Sequence, residues 1–201
     1  MYSGIILAAG KSERMGFCKQ LLKIRGKTLI EIVLETAKKS KLDEIIVVLG
    51  YKAELIEKVL RDYTGIKKIF NPHFQEGLSS SLKSGLAALD SSSRAAIFIL
   101  ADQPLLKKST IDALIDAHAK KHSLLVAPVY KGIRGNPVLV DRRLFTEILK
   151  LKGDVGARHI LQKFKNDVLL VNVNDPGVVL DIDTVLDYKA ISKIICDCNR
   201  F

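Results

Sequence analysis

The stretch Ile5-Ile6-Leu7-Ala8-Ala9-Gly10-Lys11-Ser12-Glu13-Arg14-Met15-Gly16-Phe17-Cys18-Lys19 opens as five apolar residues and continues as a basic loop. The apolar part is too short for an ordinary helix and reads as a buried strand. Gly10 lets the backbone leave it and come close to a ligand. Lys11, Arg14 and Lys19 then place three cations within nine positions. Backbone N–H groups with cations around them are what a polyphosphate needs. A solvated turn that happens to be basic would have the same composition. The loop is not G-x-x-x-x-G-K-[ST], since no Lys-Ser/Thr pair follows Gly16, and it is not G-x-G-x-x-G.

Outward from this loop, short apolar runs alternate with helical patterns. Ile30, Val33, Leu34 and Ala37 keep the spacing of one helix face. Glu44–Leu49 is β-branched and reads as a strand, followed by a helix marked by Leu55, Ile56, Val59 and Leu60. Lys67–Phe70 reads as a short strand, 79–89 as a helix with Leu82, Leu86 and Leu89, and Ala95–Leu100 as a strand. Ser109 is placed to cap a helix with Ile111, Leu114, Ile115 and His118 on one face, and 124–129 reads as a strand. The pattern predicts an α/β fold: a three-layer, Rossmann-like arrangement with a mostly parallel sheet and helices on both faces. Beyond Val129 the rhythm loosens. Residues 130–137 read as a loop, 137–140, 168–173 and 178–180 as strands, and 144–151, 157–164 and 184–195 as helices. Neither linker nor repeat appears, so 1–201 is expected to be a single domain.

Composition narrows the partners. The chain has 201 residues, 48% of them hydrophobic and 27% charged, which suits a globular fold and excludes disorder or a coiled coil as overall descriptions. No apolar run approaches the length of a membrane span, and the amino-terminal stretch lacks the basic start of a signal peptide. The expected compartment is the cytoplasm. A net charge of +10 favours an anionic partner. With 6% aromatics, no Trp and dispersed lysines, nucleic acid is a poor fit, and phosphorylated small molecules lead. Cys196-Asp197-Cys198 has no second pair to complete a zinc site and, with Cys18, reads as free thiols.

In an open parallel sheet, ligands sit beyond the carboxyl ends of strands, so the chemistry is expected in the loops there. Asp102, in Leu100-Ala101-Asp102-Gln103-Pro104, follows a predicted strand. A carboxylate there needs a partner, and Mg²⁺ shared with substrate phosphates is one; a turn-capping role before Pro104 is the other. Asp181 and Asp183 would share a face of an extended segment, or Asp183-Thr184 would cap the last helix. Gly77, Ser79 and Ser80 start a predicted helix where a ribose or base could be read, although capping accounts for Ser79 equally well. Residues 130–137, with Arg134 and Asn136, and 153–159, with Asp154, Arg158 and His159, combine glycines with cations. They suit an anionic second substrate or are plain surface turns. His118 reads as a packing residue.

The order of these pieces resembles a known family. Residues 7–19 fit the L-A-A-G-x-S-x-R-M-G-x-x-K signature of the MobA-like NTP transferases. Residues 77–82, Asp102-Gln103-Pro104, Arg134-Gly135-Asn136-Pro137, 153–158 and 181–184 resemble the molybdenum cofactor cytidylyltransferase branch. Guanylyl-transferring relatives usually have Gly where Ala9 stands, which favours cytidine; Val185 departs from the Pro common after Thr. The resemblance implies transfer of CMP from CTP to the phosphate of a molybdopterin-type cofactor, with release of pyrophosphate. It implies nucleotide binding by Leu7, Ala8, Ala9, Gly10, Lys11, Ser12, Arg14, Lys19, Gly77, Ser79 and Ser80. Catalysis would fall to Lys19, Arg14 and Asp102, and Mg²⁺ to Asp102 with Asp183 or Asp181. The second substrate would meet Arg134, Asn136, Asp154, Arg158 and His159. Residues 1–104 would form the nucleotide half and 124–184 the second-substrate half. A molybdoenzyme or its chaperone would be the protein partner. GTP or a sugar phosphate is the alternative within the superfamily. An NAD(P) oxidoreductase and a non-catalytic anion binder are the alternatives outside it.

Overall fold

In the computed structural model, which describes residues 1–12 and 15–197, the opening apolar run becomes strand β1 (Tyr2–Ala8), buried along its whole length. A hairpin of β2 (Lys23–Ile24) and β3 (Lys27–Thr28) leads into α1 (Leu29–Lys38). Thr28 and Glu31 cap this helix reciprocally: the Thr28 hydroxyl accepts from the Glu31 N–H, and the Glu31 carboxylate accepts from the Thr28 N–H at 2.7 Å. Then come β4 (Glu44–Leu49), α2 (Ala53–Val59), β5 (Lys67–Phe70), α3 (Leu78–Ala87), β6 (Ala95–Leu100) and α4 (Lys108–Lys121). The later part supplies β7 (Leu125–Tyr130), β8 (Ile133–Arg134), β9 (Val138–Asp141), α5 (Phe145–Leu149), α6 (Ala157–Lys163), β10 (Val168–Asn172) and α7 (Val185–Asp197).

The sheet runs β10-β7-β9-β6-β1-β4-β5, with β8 paired to the end of β7. β1 lies parallel between β4 and β6, with Leu7 opposite Val48 on one side and Leu100 on the other. Within this sheet, among the described residues, only β8 and β9 run against their neighbours. Side chains alternate as a pleated strand requires. Tyr2, Ile6 and Ala8 pack with α1, α2 and α4. Ile5, Leu7 and Ala9 pack with α3, α5 and α6. Ile5 and Ile6 are fully enclosed, each burial being worth about 1.5–3 kcal/mol. A smaller cluster of Met15, Ile24, Leu29, Ile182 and Ile191 holds α7 against the hairpin. The chain leaves β1 for β4 and β5 on one side and returns to β6 on the other. The strand order therefore reverses between β1 and β6, which opens a crevice at their carboxyl ends.

Several local expectations give way. Residues 178–180 form no strand: Asp175 accepts from the Gly177 N–H at 2.9 Å, and the Asp-Pro-Gly turn at Pro176–Val178 outweighs the short apolar run. Residues 130–137 are not all loop, because Ile133 and Arg134 pair with Tyr130 and Val129. Ser109 is not a cap: α4 starts at Lys108, and Asp175 Oδ2 accepts from the Lys107 N–H at 2.9 Å and the Thr110 hydroxyl at 2.6 Å. Ser79 does not cap α3 but lies buried inside it, after a Gly77 N-cap. His118 is a core residue: Nε2 lies 2.9 Å from Asp141 Oδ2, and Nδ1 lies 3.0 Å from the Tyr2 hydroxyl. Thr184 does cap α7, its hydroxyl accepting from the Asp187 N–H at 3.2 Å. Cys18 and Cys196 are free thiols, while Arg14 and Cys198 lie outside the described residues.

Candidate active site

The carboxyl ends of β1 and β6 open onto a cleft of about 590 Å³. Leu7, Ala9, Gly10, Lys11 and Ser12 line it from the loop after β1, and Leu100 and Asp102 from the end of β6. A Cβ built on Gly10 would meet nothing within 4 Å, so packing inside the protein does not account for the glycine. Ser12 sits in the left-handed region at φ 56°, pinned by the Met15 N–H donating to its carbonyl at 2.9 Å. Such a conformation is costly for a residue with a side chain and persists only where surroundings impose it.

Lys19 is the centre of charge. Its Nζ lies 2.5 Å from Asp102 Oδ2 and 2.9 Å from Asp183 Oδ1. The Lys19 side chain keeps only 13% of its exposure. Burial works against its charge, but Asp102 and then Asp183 overcome that and hold the ammonium above its ordinary pKa. The backbone near Lys19 is tied to the loop before it. The Lys19 N–H donates to Ser12 Oγ at 3.4 Å, and Gln20 Nε2 donates to the Gly10 carbonyl at 3.4 Å. Cys18 donates to Gln20 Oε1, and burial pushes its thiol pKa up, away from nucleophilic use. Asp183 reaches the cleft because the Ile182 N–H donates to the Asp102 carbonyl at 3.0 Å, zipping the two segments together.

The remaining candidates divide. Gly77 and Asp154 also line the cleft. Ala8 does not; it faces the α1 side of the core. Ser79 and Ser80 are buried away from the cleft, Ser80 donating to the Gly77 carbonyl at 2.8 Å, and the hydroxyl that reaches the lining is that of Ser81. Arg158 and His159 are exposed in the first turn of α6, and among the described residues no ion pair joins Arg158 to Asp154. Arg134 is exposed on β8, and Asn136 follows it, its N–H donating to the Val178 carbonyl at 2.8 Å. Asp181 is exposed as a residue and off the cleft; partial desolvation of its carboxyl, then the charges of Asp102 and Asp183, raise its pKa. Leu78, from the 77–82 stretch, lines the cleft as well, as do Gln20, Phe74 and Gln75, which no sequence pattern singled out.

The donor set suits a hard cation. Asp102 Oδ1 is buried and has no hydrogen-bond partner among the described residues, which a carboxylate oxygen tolerates poorly unless an ion or water completes it. Among the described residues no three His, Cys, Asp or Glu side chains converge to hold a metal unaided. A cation at Asp102 would therefore complete its shell from ligand phosphates and water, the habit of Mg²⁺.

Known proteins show the same architecture. The chain is 30% identical to the purine catabolism protein PucB of Bacillus subtilis over 94% of its own length and 95% of that protein's. It is 30% identical to the nicotine blue oxidoreductase of Paenarthrobacter nicotinovorans, covering 91% of this chain and 92% of that one. It is 27% identical to the molybdenum cofactor cytidylyltransferase of Escherichia coli, covering 92% of each. Among solved structures, the homologue of Mycobacterium tuberculosis Rv0371c from Mycobacterium sp. strain JC1 superposes with a TM-score of 0.85 at 28% identity, covering 98% of both chains. Rv0371c itself, solved as a complex with manganese, gives 0.80 at 26% identity over 96% of this chain and 98% of that one. The MobA-like NTP transferase domain matches residues 4–168, which hold the basic loop, Lys19 and Asp102, and the chain belongs to that family of nucleotidyltransferases.

Proposed function

We propose that the protein transfers CMP from CTP to the phosphate of a molybdopterin-type cofactor and releases pyrophosphate. A phosphate oxygen of the acceptor attacks the α-phosphorus, and the bond from that phosphorus to the β-phosphate oxygen breaks. No covalent enzyme intermediate is needed. Such transfers depend on positioning and charge neutralisation. The single observation that carries the reading is Lys19 held between Asp102 and Asp183 beside the open loop at Gly10.

The loop at 10–12, with Lys11 and Arg14, would hold the departing β- and γ-phosphates. Lys19 would place its point charge against the α-phosphate. Asp102 and Asp183 would hold Mg²⁺, which would supply neutralisation of the phosphate charge. Arg134, Asn136, Arg158 and His159 would meet the anionic acceptor. The turn at Val178 accepts from Asn136, and Ile182 donates to Asp102, so the loop carrying Arg134 and Asn136 is tethered to the end of β6. Cytidine is favoured by Ala9, and by the likeness to the cytidylyltransferase.

A second reading comes from the likeness to a protein named as an oxidoreductase. A nicotinamide nucleotide would then enter the same cleft. Pyrophosphate release measured with each of the four NTPs, with and without molybdenum cofactor, tests the first reading. Cofactor-dependent release with CTP is the expected result. No release with any NTP, together with turnover of a nicotinamide cofactor, would establish the second.

A further inference from the structure

Helix α3 forms one wall of the cleft, yet its N-cap, Gly77, has no side chain to cap it. Two amide donors of its first turn are satisfied from a distant segment. The Leu78 N–H donates to Asp154 Oδ1 at 3.1 Å, 76 positions further along the chain, and the Ser79 N–H donates to the Gly153 carbonyl at 3.3 Å. The two segments interlock. Gly77 stands at φ +98°, and a Cβ there would lie 2.5 Å from both the Asp154 nitrogen and the Gly153 carbonyl carbon. A Cβ on Gly156 would lie 2.7 Å from Leu78 Cδ2. At 77 the near atoms are backbone and φ is positive, so only glycine allows this approach, whereas at 156 the near atom is the end of a flexible leucine side chain.

The sequence groups Asp154 with the residues for the second substrate; in the structure its Oδ1 accepts from the helix that bounds the nucleotide cleft. We propose that Asp154 is a positioning residue: it caps α3 from across the chain and sets where the 77–81 wall stands against a bound nucleotide. This rests on the reading of the cleft as a nucleotide site. An aspartate at a helix start accepts an otherwise unpaired N–H and places negative charge at the positive end of the helix dipole. The same segment runs on into α6, whose first turn bears exposed Arg158 and His159. The 153–159 segment thus links the nucleotide wall to the residues assigned to the acceptor.

The test uses the whole chain, with CTP binding measured by calorimetry in the presence of Mg²⁺ and without acceptor. Asp154→Ala should weaken CTP by about fivefold or more, the size of one lost cap. Asp154→Asn keeps an accepting Oδ1 and should restore affinity to within about twofold of the unaltered protein, since Asn caps as well as Asp. Amide exchange supplies a second readout: the Leu78 and Ser79 amides should exchange faster in Asp154→Ala and not in Asp154→Asn. If Asn fails as badly as Ala, the charge of Asp154 touches a ligand or cation directly and the proposal is overturned. Unchanged CTP affinity in Asp154→Ala overturns it equally. If the unaltered protein binds no nucleotide, the proposed function falls, and the exchange of these two amides still decides whether Asp154 caps the helix.

Discussion

Lys19 is partly buried at a place where a lone ammonium would be costly, and it is tolerated because two carboxylates close on it. Its basic character is plain in the sequence. Its partners are not, since Asp183 stands 164 positions away. If Lys19 neutralises charge that grows on the α-phosphate during transfer, Lys19→Ala should lower kcat by about 10²–10³ and weaken CTP binding far less. Lys19→Arg should restore little, because a planar fork cannot replace a point charge between two carboxylates. Steady-state kinetics beside calorimetric affinities decide the matter. A variant that lost affinity alone, with kcat kept, would make Lys19 a clamp on bound substrate instead.

At the scale of elements, helix starts are satisfied in two ways. Thr28 and Glu31 cap α1 from within four residues, a pattern that stands openly in the sequence as Thr-x-x-Glu. Helix α4 depends on Asp175, far along the chain, which also serves the Gly177 N–H; this one buried carboxylate answers three donors in two elements. Asp175→Ala should therefore cost about 1–3 kcal/mol, the penalty of leaving buried donors unpaired. At roughly 2–4 °C per kcal/mol for a chain of this size, calorimetry should record a fall in Tm of several degrees. An unchanged Tm would mean that water serves these donors and that the cap contributes nothing net.

Across the whole molecule, the end of the sheet opposite the cleft holds a network of its own, buried at Tyr2, His118 and Asp141 and closed by the exposed Arg143. The Tyr2 hydroxyl meets His118, His118 meets Asp141, and Arg143 closes on Asp141 at 2.8 Å. Burial alone would raise the Asp141 carboxyl, but the Arg143 side chain and backbone, with His118, outweigh it and hold the pKa below 3.8. A carboxyl with a depressed folded-state pKa stabilises the fold above its unfolded value, and that contribution fades as pH falls through the folded value. The stability gap between the unaltered protein and Asp141→Asn should therefore be full at about pH 6 and shrink below about pH 4. Urea unfolding at a series of pH values measures it. A gap independent of pH would show that Asp141 acts through its shape and hydrogen bonds and not through its charge.

Apart from the two-residue strands of the hairpin at 23–28, which no sequence pattern marks, the strands and helices of the first 125 residues were legible because local physics dictates them. β-branched runs such as Glu44–Leu49 and the spaced face of Ile30, Val33, Leu34 and Ala37 admit one period each. The basic loop and the strand-end position of Asp102 followed from the same pattern. What the tertiary structure alone decided lies where a residue's partner is remote. The apolar run at 178–180 became a turn because Asp175 and the Asn136 loop claimed its backbone. Ser81 rather than Ser79 or Ser80 reached the cleft, because helix phase depends on where Gly77 meets Gly153. Sequence spacing encodes periodicity and turn chemistry within a few residues, whereas a hydrogen bond between positions 78 and 154 exists only once the sheet has brought them together.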